Sequence, residues 1–103
     1  MPQIDDGDMQ LLLACLKQAL PEQENIRVYV FGSRAKHKAR PYSDLDLALE
    51  HPSQALPPEL MFRVKAALGE SDLPFMVDLV DLRAISEEFR HAITPDLIPL
   101  ILN

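Results

Sequence analysis

I-R-V-Y-V-F-G-S-R-A-K-H-K-A-R-P-Y-S-D-L-D-L-A-L-E, residues 26–50, is the stretch on which the reading of this chain turns. Its first six residues are β-branched and aromatic apart from Arg27, the composition of a buried strand. Gly32-Ser33 then turns the chain, and Ser33 is placed to cap a short basic helix reaching toward Ala39, which Pro41 ends. Residues 43–50 alternate strictly. Leu45, Leu47 and Leu49 share one face; Asp44, Asp46, Ala48 and Glu50 share the other, as in a strand with one buried side. His51-Pro52 closes it.

Working outward, Asp8 can cap a first helix running to about Leu20, with Leu12, Leu16 and Leu20 on one stripe and Pro21 as its stop. The single cysteine, Cys15, falls among these leucines and reads as packing. After the alternating strand, Pro57-Pro58 opens a helix through about Leu68, with Leu60, Met61, Val64 and Leu68 inward. Residues 69–74 form a turn, and residues 75–80 (F-M-V-D-L-V) a third strand. Ser86 caps a short helix to about Ile93, and Thr94-Pro95 starts another that contains Pro99. The expectation is an α/β (α+β) fold, a small mixed sheet flanked by helices, built as a single domain over residues 1–103.

Composition narrows the function. Apolar residues make up 48% of the chain and charged residues 25%, so it can form a core and is not a disordered polymer. No apolar run reaches the roughly 20 residues needed to span a bilayer. The first eight residues are acidic rather than signal-like, which points to the cytoplasm. A net charge of −6 argues against stable binding to duplex nucleic acid and gives no reason to expect membrane association. The distribution is more telling. Between residues 26 and 43 there is no Asp or Glu, yet five of the ten Lys and Arg lie there: Arg27, Arg34, Lys36, Lys38 and Arg40. This basic island ends at a carboxylate pair, an arrangement suited to holding a metal and a polyphosphate together.

Carboxylates two apart on a strand project from one face. Asp44 and Asp46 repel each other unless a cation or solvent intervenes, and Mg²⁺ accepts one or two such carboxylates while keeping positions for water and phosphates. A two-ion arrangement would clamp the attacking and leaving oxygens of an in-line displacement. A third acid should come from a neighbouring strand. Parity within residues 75–80 puts Met76, Asp78 and Val80 on one face, and a mid-strand Asp78 needs a reason that Asp81, just past the strand, does not. Gly32 and Ser33 would serve the phosphates, through close backbone approach and the free N–H groups of the following helix, with Arg34 and Lys36 as candidate helpers. The three histidines, His37, His51 and His91, share no ligand spacing and read as surface residues. Tyr29 and Tyr42 read as strand packing.

At these residues the chain resembles the DNA polymerase beta nucleotidyltransferase superfamily, and within it the minimal nucleotidyltransferase (MNT) group. The residues that carry the likeness are Phe31, Gly32, Ser33, Asp44, Leu45, Asp46, Leu47 and Asp78, and it extends over about residues 26–82. Segments such as 42–47 and 71–74 are similar to a subgroup encoded beside a helical HEPN partner. The resemblance implies a polymerase-beta-like fold. It also implies Mg²⁺ held by Asp44, Asp46 and Asp78, an NTP substrate (ATP the first choice), pyrophosphate release, and transfer of AMP to an acceptor hydroxyl on the partner, as an antitoxin. The alternative is a catalytically weak or inactive subunit that neutralises its partner by binding alone. The chain departs from the pattern once: His37 stands where many members have a glycine, four residues after the serine. Whether the chain forms a homo-oligomer is left open by the sequence.

Overall fold

The structure, a computed structural model, describes residues 1–102. Its frame is a four-stranded sheet in the order β3-β2-β1-β4. The central strands β1 (Arg27–Phe31) and β2 (Leu45–Glu50) run antiparallel, with Phe31 opposite Asp46 and Val28 opposite Leu49. Strand β3 (Val77–Asp81) lies parallel to β2, Asp78 beside Asp46. A parallel neighbour requires a crossover, and α2 (Pro58–Gly69) supplies it.

The alternation of β2 decides which face is which. Leu45, Leu47 and Leu49 are fully buried, together with Val28 and Val30, against Leu12 and Leu16 of α1 (Asp6–Ala19) and Leu60, Val64 and Leu68 of α2. Each such side chain contributes on the order of 1.5–3 kcal/mol of transfer free energy, so a one-residue slip of β2 would forfeit several of these terms at once. Register is thereby fixed, and so is the face that carries the acids. Cys15 packs at the margin of this core. The opposite face is covered only in part: Phe31 and Ala48 pack with Leu82 and with Ile93 of α3 (Glu87–Ile93), and Phe31 meets Phe89 edge to face at 6.1 Å. Ser86 caps α3 through its hydroxyl, which accepts from the Phe89 amide at 3.1 Å.

Four expectations are corrected. The first helix begins at Asp6, not after Asp8, because the Met9 amide already bonds to the Asp5 carbonyl. Residues around Pro99 form no helix; a 3₁₀ turn (Thr94–Asp96) leads into a short strand β4 (Ile98–Leu100) that pairs antiparallel with β1. Proline is tolerated there because the strand is an edge. The basic segment after Ser33 does not become a helix either. Only a 3₁₀ turn (Gly32–Arg34) forms, since the Arg34 and Ala39 carbonyls are taken by Gln3 from the N-terminal segment. Finally, β3 starts and ends later than residues 75–80, which draws Asp81 into the strand.

Candidate active site

Phe31, Asp46 and Asp78 occupy one row across β1, β2 and β3. Neighbouring strands are about 4.8 Å apart, and partners in register present their side chains to the same face, so Asp46 stands between an aromatic ring and a second carboxylate. Asp44 precedes β2 by one residue and is exposed; Asp46 is half-buried, and Asp78 is exposed. The chain therefore places residue 78 on the side of the sheet that residue 46 faces. Asp44 and Asp78 both bear electrostatically on Asp46. Its carboxyl is held above the ordinary carboxylate range, first by burial and then by the negative charges of Asp78 and Asp44.

The turn is in contact with the acids. Gly32 has φ of +74°, and a Cβ built on it would fall inside the Asp46 carboxylate. Glycine is therefore required twice over, for a backbone angle that L-residues resist and for the space that Asp46 fills. Ser33 follows, half-buried, at the start of the loop.

His37 occupies the left-handed region at φ of +58°, the conformation a glycine would take without penalty. Its Nε2 lies 2.6 Å from the Met1 carbonyl, which holds the ring to the N-terminal segment. The substitution thus keeps the turn rather than abolishing it.

Other expected residues are placed differently. Arg34 does not present its guanidinium to a ligand: it is 5% exposed and donates to the carbonyls of Gln3, Pro41 and Ser43. Lys36 forms an ion pair with Asp96 at 3.4 Å. His51 is not a free surface residue; its Nδ1 accepts from the Ser53 amide, and its Nε2 is 3.4 Å from Glu24. Tyr42 is exposed rather than packed, while Tyr29 lies against the second core cluster. Asp81, passed over as a residue needing no reason, is buried, and its carboxylate accepts from the Leu56 amide at 2.7 Å and the Arg83 amide at 2.9 Å. Its task is to anchor the segment before α2. The apolar Leu82 beyond it was the signal that the strand continues.

The donor set fits a hard divalent cation. Three carboxylates offer oxygen atoms, and a cation there would offset the burial and the repulsion from Asp78 and Asp44 that disfavour the Asp46 charge. Among the described residues no three His, Cys, Asp or Glu side chains already stand at ligating geometry. The acids are neighbours, not a closed cage, which suits an ion that keeps positions for water and phosphate. A hollow of about 1010 Å³ lies elsewhere, between the end of α1 and β4, lined by Leu20, Ile26, Pro99 and Leu100 among others. Its lining contains none of the three acids.

A glycine turn abutting a row of acids on a small mixed sheet defines a nucleotidyltransferase domain. The family model described as "Polymerase beta, Nucleotidyltransferase" matches residues 15–101, and the chain belongs to that family. It is 42% identical over 92 residues, 87% of its own length and 75% of the relative's, to a Haemophilus influenzae protein named probable protein adenylyltransferase MntA. Among solved structures it is similar to a toxin–antitoxin crystallised with AMP-PNP, with a TM-score of 0.62 at 26% identity, covering 79% of this chain and 62% of that one. It also matches in fold an MntA–HpeT toxin–antitoxin mutant, with a TM-score of 0.70 at 23% identity over 96% of this chain and 73% of that one. The chain thus spans less than two thirds of the AMP-PNP structure's matched chain. No helix of the described residues is long and apolar enough to cross a membrane.

Proposed function

We propose that this chain transfers AMP from ATP to an acceptor hydroxyl on a helical HEPN-type partner, and that this modification makes it the antitoxin of a pair. The observation that carries the reading is the register row in which Asp46 lies beside Asp78 while Gly32 abuts the Asp46 carboxylate. A glycine turn beside acids from two strands suits phosphates held next to a metal. The relative's name, adenylyltransferase, and the AMP-PNP of a similar toxin–antitoxin structure support the nucleotide and the setting.

In this reading Gly32 and Ser33 hold the phosphates through backbone N–H groups and the Ser33 hydroxyl. Asp44, Asp46 and Asp78 hold Mg²⁺, two ions in the full complement; the metal, when bound, neutralises the phosphate charge and polarises the α-phosphate. Asp78, exposed at the edge of the row, takes the proton of the acceptor hydroxyl as its oxygen bonds to the α-phosphorus. The bond from that phosphorus to pyrophosphate breaks in the same displacement. The sheet holds the acids rigid, so the site acts by positioning and charge neutralisation. The retained turn at His37 favours this reading over a subunit that only binds.

The test mixes the purified protein, its partner and α-phosphate-labelled ATP with Mg²⁺. Label should pass to the partner, and neither Asp44→Asn nor Asp46→Asn should support it. Equal transfer by these variants, or none by the wild type, overturns the proposal.

A further inference from the structure

Arg34 ends the Gly32–Arg34 turn, yet its side chain reaches forward over the loop that leads to the acids. Nε and Nη2 both donate to the Ser43 carbonyl, at 3.2 and 2.7 Å. Nη2 also donates to the Pro41 carbonyl at 3.2 Å, and Nη1 to the Gln3 carbonyl at 2.9 Å. The guanidinium carbon sits 4.2 Å from the centroid of the Phe75 ring. Ser43 is the residue before Asp44. One planar group, held by stacking and four hydrogen bonds, therefore joins the phosphate turn to the root of the acid pair.

The N-terminal segment completes the brace. The Gln3 amide donates to the Arg34 carbonyl at 2.8 Å. Its side chain brackets Ala39, donating to the carbonyl at 2.9 Å and accepting from the amide at 3.0 Å. The eight residues between Arg34 and Ser43 carry no helix or strand. Their own backbone bonds are local turns at the two ends, Lys38 to Ser33 and Ser43 to Arg40, and neither spans the loop from the Gly32–Arg34 turn to Ser43 as the guanidinium does. A lysine could not substitute, because it lacks the fork that reaches three carbonyls at once.

We propose that Arg34 is a positioning residue of the transfer site: it sets the distance between the Gly32–Ser33 turn and Asp44 without touching the nucleotide. The inference rests on the nucleotidyl-transfer reading above. It assigns the residue a role opposite to the phosphate contact that its place in the sequence suggests. A buried guanidinium whose Nε and Nη2 are taken by the carbonyls of Pro41 and Ser43 has to abandon them before its fork can meet a phosphate, and the loop would loosen as it did.

The experiment compares wild type, Asp44→Asn, Arg34→Lys and Arg34→Met in label transfer from ATP·Mg²⁺ to the partner, well below each variant's melting temperature. Arg34→Lys keeps the positive charge but replaces the three-nitrogen fork by a single ammonium, so it provides the decisive comparison if Arg34→Met does not fold. A displacement of about 1 Å at a reacting group can cost roughly 10²-fold in rate. The expected result is a fall of kcat on that order in the Arg34 variants, with KM for ATP within about threefold of wild type. A salt-dependent rise in KM with kcat retained would make Arg34 a phosphate ligand and overturn the inference. Unchanged kcat and KM with a lowered melting temperature would make it a merely structural residue, and would overturn it equally. If wild type itself transfers nothing, the transfer reading fails and takes this inference with it. Wild-type transfer that Asp44→Asn abolishes separates that failure from the others.

Discussion

Replacing Gly32 with alanine tests the contact on which the site is built. The left-handed backbone at φ of +74° costs an L-residue roughly 1–2 kcal/mol. The new methyl falls on the Asp46 carboxylate, and forcing that side chain off its rotamer adds about 0.5–1.5 kcal/mol. Alanine's smaller unfolded-state entropy returns roughly 0.4–1 kcal/mol. The net loss is about 1–3 kcal/mol, a drop in melting temperature on the order of 5–20 °C for a domain of this size. The assay is thermal unfolding followed by circular dichroism, on Gly32→Ala, Asp46→Ala and the double variant. Removing the carboxylate first leaves only the backbone penalty, so the cycle should show a coupling of about 1 kcal/mol. Additivity within roughly 0.3 kcal/mol would mean that the turn and the acid do not touch, and would refute the reasoning.

Asp46→Asn should stabilise the metal-free protein, because it removes a charge disfavoured first by burial and then by Asp78 and Asp44; a destabilised variant in thermal melts would contradict this. The pH dependence has a definite sign. Because the Asp46 carboxyl is held above its ordinary range, its contribution to stability is present while it is protonated and is lost as pH rises through the raised value. Melting temperatures of wild type relative to Asp46→Asn should therefore decline with rising pH across that window, in the absence of divalent ions. Asp81→Ala leaves the Leu56 and Arg83 amides without their acceptor and should cost about 1–3 kcal/mol in denaturant unfolding, with transfer by the folded fraction unchanged. Loss of transfer at full folding would show that Asp81 belongs to the site.

Much of this molecule was legible from its residues. The alternation of residues 43–50 and the apolar run of residues 26–31 identified the two central strands, because burial on one face leaves a period of two in the sequence. Parity within 75–80 grouped Asp78 with Met76 and Val80; the parallel register of β3 on β2 is what sets it beside Asp46, in a strand that starts and ends later. What stayed hidden was set by partners distant in sequence. The basic segment looks helical until Gln3, more than thirty residues away, takes its carbonyls. Strand β4 was masked by Pro99, which argues against a strand everywhere except at an edge, and nothing local announces an edge. The contacts of Arg34 were hidden for the same reason. Its position after Gly-Ser suggests phosphate, while its burial depends on Phe75, Pro41, Ser43 and Gln3 together.

The central claim is that acids from two strands act on one ion. Electron paramagnetic resonance of Mn²⁺, titrated with ATP into wild type, Asp46→Asn and Asp78→Asn, measures it most directly. Both variants are expected to lose Mn²⁺ affinity by tenfold or more, a factor of ten being about 1.4 kcal/mol. Wild-type affinity in Asp78→Asn would separate β3 from β2 chemically and contradict the account.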